Sequence, residues 1–69
     1  MHEHAQAHEE FIRKTVKDIG IKEVVYVTEN TYDGGYEVRV GTLDFFVDYE
    51  TLDEEDADYI RERLKTYGA

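Results

Sequence analysis

The chain contains no cysteine in its 69 residues, which excludes disulfide reinforcement, a thiolate zinc site and a cysteine nucleophile. It contains no apolar run approaching the roughly 20 residues that span a bilayer. Its start, Met1-His2-Glu3-His4, lacks the basic end and apolar centre of a signal peptide, so a cytoplasmic location is expected. Bases are missing where acids are dense: residues 29 to 58 hold eleven acids against a single base, Arg39. That stretch carries a net charge of minus ten within a total of minus nine, and everything else together is plus one. Such a field steers basic partners and repels nucleic acid and anionic lipid. Direct nucleic-acid binding and membrane binding are therefore not expected.

A domain of about 60 residues hides only roughly 60% of the surface its unfolded chain exposes. The expectation is one domain over residues 1–69, held by packing or by a partner chain. Phe11, Ile12, Val16 and Ile19 recur at helical spacing, with Arg13, Lys14, Lys17 and Asp18 opposite and Gly20 as a stop; this predicts a helix from Glu3 to Ile19. Its first turns are rich in histidine and glutamate, and residues 1–8 are expected to fray. Residues 22 to 29 become β-branched and aromatic, as a strand requires. The Asp33-Gly34-Gly35 break supplies the positive φ values of a hairpin turn rather than a phosphate cradle, which needs a strand, a loop and a helix in succession.

Tyr36, Val38 and Val40, then Leu43, Phe45 and Val47, alternate with polar residues and predict two half-buried strands. Thr51 and Glu54 form a capping-box pattern at the start of a second helix, where Asp53, Glu54 and Glu55 meet the favourable end of the helix dipole. Ala57, Ile60, Leu64 and Tyr67 form its apolar stripe and Gly68 its stop. The fold class is α+β, in the order α-β-β-β-α: a three-stranded antiparallel meander with two helices packed on one face. The other sheet face stays open. Glu37, Arg39, Asp44, Phe46 and Asp48 stand on it, with either Val24 and Tyr26 or Val25 and Val27, because the first strand is apolar on both sides. Phe46 is the residue that periodicity does not justify as core.

Three groups of residues invite a functional reading. His4 and His8 lie four apart on one helical face, as two metal ligands do; solvated polar residues at an exposed terminus are the plainer alternative. A carboxylate pair such as Asp44 and Asp48 acts as acid and base only when one is desolvated. A chain this small has little interior for a pocket of the usual ~300 Å³ or more, so no enzyme and no cofactor is expected. The third group is the acidic stretch, with Asp44, Phe46, Asp48, Glu50, Asp53, Glu54, Glu55, Asp56 and Asp58 as the candidate partner-binding residues. Acids two apart on a strand are spaced by about 6.5–7 Å, comparable to successive phosphates of one DNA strand. Phe46 and the tyrosines would supply apolar anchors. A solvated helix start explains Asp53 to Asp56, and a salt-adapted proteome explains acidity at large; neither explains Asp44, Asp48 and Glu50. The alternative is a small structural or dimerising domain of an acidic or salt-adapted proteome, associating through its open sheet face as a homodimer.

By element order the chain resembles the double-stranded RNA-binding domain. That family's lysine cluster at the start of its second helix is here Asp53-Glu54-Glu55-Asp56, and its Gly-Pro-x-His loop is here Asn30-Thr31-Tyr32-Asp33-Gly34-Gly35, so its RNA-binding residues are not carried over. The run from Val38 to Asp48, Val-Arg-Val-Gly-Thr-Leu-Asp-Phe-Phe-Val-Asp, leads into Asp53-Glu54-Glu55-Asp56-Ala57-Asp58. It is similar to a type I-F inhibitor among the small phage-encoded anti-CRISPR proteins that act as DNA mimics. That resemblance implies a stoichiometric inhibitor, working in the cytoplasm of a phage's host, that occupies the basic DNA-binding surface of a defence complex.

Overall fold

The computed structural model describes the backbone of residues 3–67 and the side chains of residues 6–67. Helix α1 (Glu3–Ile19) is followed by strands β1 (Val25–Asn30), β2 (Gly35–Val40) and β3 (Leu43–Asp48). Two short helices, α2 (Tyr49–Asp53) and α3 (Ala57–Arg63), and a closing 3-10 turn (Leu64–Thr66) complete the chain. The strands form one antiparallel sheet in the order β1-β2-β3. The expected α+β meander is the observed fold. The expected helix stop at Gly68 lies outside the described residues, as do residues 1–2 of the segment expected to fray.

Alternation puts Val25 and Val27, Tyr36, Val38 and Val40, and Phe45 and Val47 on one sheet face, where they meet Ile12 and Val16 of α1, Leu52 of α2, Ile60 of α3 and Leu64. All the helices cover that face, because it is the only one with a continuous apolar surface to bury. The ambiguity of the first strand is thereby resolved: Val25 and Val27 turn inward, while Tyr26 stands on the open face, 61% exposed. Ile19, read as part of the α1 stripe, is instead exposed at the helix end. The turn from β2 to β3 has two residues, and only the first, Gly41, has positive φ (+63°), the pattern of a II′ hairpin turn.

The second helix departs most from expectation. It is not one helix from Thr51 to Tyr67 but two, broken at Glu54-Glu55-Asp56, where Glu55 takes a left-handed φ of 53°. The capping box of Thr51 and Glu54 does not form. Asp48 caps α2 by accepting from the Thr51 amide, and Asp56 caps α3 by accepting from the Tyr59 amide. Asp48 is the last residue of β3, and an aspartate there both caps better than threonine and starts the helix without a connecting loop. Asp53, Glu54 and Glu55 therefore end α2 and link it to α3, and the favourable dipole read for them does not apply.

The two outer strands each have one backbone carbonyl closed by a side chain. Arg13 Nη1 donates to the Val25 carbonyl at 2.6 Å on β1, and the Tyr59 hydroxyl donates to the Phe46 carbonyl at 2.8 Å on β3.

Candidate partner-binding surface

The predicted site residues separate into two groups. Asp44, Phe46 and Asp48 stand on the open sheet face, across from Arg39, Glu37 and Gly35 of β2. Glu50, Asp53, Glu54, Glu55, Asp56 and Asp58 follow on α2, the interhelix link and the start of α3. The strand row is interrupted. Phe46 lies between Asp44 and Asp48, which are four residues apart and so roughly 13 Å apart along the strand, about twice the phosphate spacing. Asp44 is also neutralised locally: Arg39 forks onto it with Nε at 2.7 Å and Nη2 at 3.4 Å. This hydrogen-bonded pair holds the Asp44 carboxyl below its ordinary value and raises the Arg39 guanidinium above its own.

Five of the other acids of the stretch are positioned without being neutralised. The Tyr49 hydroxyl donates to Glu29 at 2.6 Å, and the Asn30 amide nitrogen donates to both Asp33 (3.0 Å) and Glu37 (2.9 Å). The Asn30 amide oxygen accepts from the backbone of Tyr32 and Asp33 and fixes the turn. Asp48 and Asp56 are held by the backbone amides they cap, at 2.9 and 3.2 Å. Hydrogen bonds from Thr51 hold the Asp48 carboxyl below the ordinary aspartate value. Among the described residues only Asp44 and Asp58 of the stretch are bonded to an arginine, Asp58 through Arg61 at 3.2 Å. Glu50, Glu54 and Glu55 make no side-chain hydrogen bond or ion pair there, and all three are exposed.

His8 has a structural engagement that the sequence did not reveal. Its Nε2 lies 2.8 Å from Asp53 Oδ1 and its Nδ1 3.1 Å from the Tyr36 hydroxyl. The ring is stacked on Tyr49 with centroids 5.9 Å apart and meets Tyr36 edge-on. An ionised Asp53 accepts only, so Nε2 carries a proton; in the neutral ring Nδ1 then accepts from the Tyr36 hydroxyl. Burial pushes that hydroxyl up to about 12, with the charges of Glu29, Tyr49, Glu9 and Asp53 adding to it. The bond to Glu29 raises Tyr49 as well. At 2% exposure Tyr36 is closed to solvent, and the network ties α1 and α2 to the sheet. Among the described residues no group of three or more potential ligands is arranged to hold a metal ion. The side chain of His4 lies outside the described residues. Tyr36, Tyr49, Glu29 and Asn30 were missed because their partners lie 20 or more residues away or, for Asn30, across a turn; periodicity carries no such signal.

The open face forms a trough of about 880 Å³ lined by Tyr26, Thr28, Asp33, Glu37, Arg39 and Phe46, among others. This hollow lies along the surface of the sheet. Phe46, unexplained by periodicity, is seated over Gly35: a Cβ built on that glycine would lie 2.6 Å from Phe46 Cζ. The ring fills the place of the missing side chain, an aromatic covering of a strand glycine. No known protein family, curated protein or solved structure matches this chain. No helix among the described residues is long and apolar enough to cross a membrane.

Proposed function

We propose that this chain is a non-enzymatic acidic interaction protein, a DNA mimic or inhibitor that occupies a basic nucleic-acid-binding surface of a partner. The observation that carries the reading is the way the carboxylates are held. Glu29, Asp33, Glu37, Asp48 and Asp56 are fixed by neutral donors, which set their direction and leave their charge. An anionic surface ordered before binding loses less side-chain entropy on contact than a mobile one. Asp53, Glu54 and Glu55 add charge at the link between α2 and α3, where the left-handed turn at Glu55 exposes them. The resemblance to DNA-mimicking phage inhibitors of CRISPR systems makes a DNA-binding defence complex of a host cell the first partner to try. An anionic chain competing with DNA releases counterions as DNA does, so capture should weaken steeply with salt.

The test is affinity capture from lysate with a salt-gradient elution, followed by competition of the captured partner against duplex DNA. Glu50→Lys, Glu54→Lys and Glu55→Lys together change exposed residues whose side chains make no bond among the described residues. The expected result is stoichiometric competition by the parent chain and its loss in the triple variant. Competition unchanged by the reversal would refute the reading. The bare sheet face, with Tyr26 on it, supports a second reading, a homodimer formed through that face. Tyr26→Asp tests it better than Phe46→Asp, because Phe46 also seats over Gly35; a monomer in sedimentation at high concentration would exclude it.

A further inference from the structure

We propose that the open sheet face is the docking surface for a basic, arginine-bearing α-helix of the partner. This rests on the reading of the chain as an acidic interaction protein, and adds which face is used and what kind of element lies on it. The dimensions fit one helix. The outer strands of a three-stranded sheet stand about 10 Å apart, and a helix with its side chains is about 10 Å across. Strands of six residues run about 20 Å, the length of roughly 13 helical residues. Helices already cover the opposite face, so the bare face is the one free to receive a further layer.

The lining selects the charge of that helix. Tyr26 and the Phe46 ring give the trough an aromatic floor. Asp33 and Glu37 share one neutral donor, the Asn30 amide, so two carboxylates face the trough without a cation. Arg39 is already committed to Asp44. A guanidinium entering there meets paired acceptors on a face that also carries the Tyr26 ring, a combination that suits arginine above lysine. A second copy of this chain fits worse, since each copy carries a net charge of minus nine and would set acids against acids. An added strand is disfavoured too, because the Val25 and Phe46 carbonyls on the outer strands are already closed by Arg13 and Tyr59.

The experiment is a titration of isotope-labelled protein, followed by NMR amide shifts, with a synthetic alanine-rich peptide of about 20 residues, past the length at which such a helix is marginal in water. The peptide carries arginines along one helical face. A second peptide of the same charge contains two central prolines and cannot be helical. The expected result is shifts centred on Tyr26, Thr28, Glu37 and Arg39. Tyr26→Ala should weaken the helical peptide about tenfold, as loss of an aromatic anchor does, and the proline peptide should bind at least about tenfold more weakly. Shifts confined to Glu50, Glu54 and Glu55, or equal binding of the two peptides, would overturn the helix docking and leave the acidic-surface reading standing. Absence of saturable binding to either peptide would overturn both. Concentration-dependent shifts of the free protein on the same face would replace the helix with a second copy and so overturn it.

Discussion

Replacing Gly35 by alanine adds one methyl group where β2, β3 and the Phe46 ring meet. Its Cβ would lie 2.4 Å from the Val47 carbonyl oxygen, 2.6 Å from Phe46 Cζ and 2.7 Å from Asp48 Cα, whereas carbon atoms sit at ease at about 3.5–4.0 Å. The ring can swing away. The two backbone atoms cannot, because Gly35 pairs directly with Asp48 in the ladder, so relief requires the strands to part locally. Overpacking of this kind costs about 1–3 kcal/mol and occasionally more. At the usual stability per residue the whole fold has about 3.5–10 kcal/mol to lose, so the variant should be strongly destabilised or unfolded. Phe46→Ala, truncating a half-buried ring, should cost less than the about 3–5 kcal/mol of a fully buried one. In the double variant the ring's share of the clash disappears while the Val47 carbonyl's share stays. The Gly35→Ala penalty should therefore shrink by about 1 kcal/mol without vanishing. Urea unfolding of the four proteins, followed by far-ultraviolet circular dichroism because the chain has no tryptophan, measures each corner of the cycle. A Gly35→Ala cost below about 0.5 kcal/mol, the size of an ordinary surface change, would refute this account of Gly35 and with it the seating of Phe46.

His8→Ala should cost about 1–3 kcal/mol by leaving the Tyr36 hydroxyl buried without a partner, and adding Tyr36→Phe should recover part of it, measurable by the same unfolding assay. Because the folded Tyr36 hydroxyl is raised to about 12, its contribution is fully present below the unfolded value of about 10 and is lost as pH rises toward 12, at about 1.4 kcal/mol per unit. Alkaline melting should steepen over that window in the parent chain and flatten in Tyr36→Phe. Asp48→Ala should cost about 1 kcal/mol as a lost helix cap. The Asp48 carboxyl is lowered in the folded chain, so its stabilisation is present above the unfolded value of about 3.9 and is lost as pH falls through the folded one. Asp48→Asn should keep the cap and remove that part of the acid sensitivity in a pH series of melts.

The order of elements was legible because each has a periodic signal of its own. Ile12 and Val16 mark the buried side of α1, Tyr36 to Val40 and Leu43 to Val47 alternate, and Gly41 sits where the hairpin needs positive φ. The break in the second helix was not legible. Neither glycine nor proline marks it, and the same acids fit a first turn in sequence and a link in structure. What decides between them is Asp48, which takes the capping role one residue before Tyr49, and Leu52, which α2 then buries. The candidate surface was half legible. Charge counting finds the acids but not their partners, so Asp44 looked free until Arg39 was seen across the pair of strands. The spacing of His4 and His8 offered a metal ligand or a solvated side chain, and gave no sign of the Tyr36 and Asp53 partners on the two nitrogens of His8.

The closed carbonyls on the outer strands bear on how the protein behaves at high concentration. A three-stranded sheet offers two rims along which a neighbouring chain could continue the hydrogen-bond ladder, the first step of fibre growth. Here Arg13 and Tyr59 each occupy a docking point on one rim; Glu9 also holds Arg13, but the guanidinium and the phenol both keep their protons in acid. Acidification toward charge neutrality should therefore remove the repulsion while leaving both rims guarded. The expected outcome of crowding is reversible clustering of whole folded molecules rather than polymerisation through their sheets.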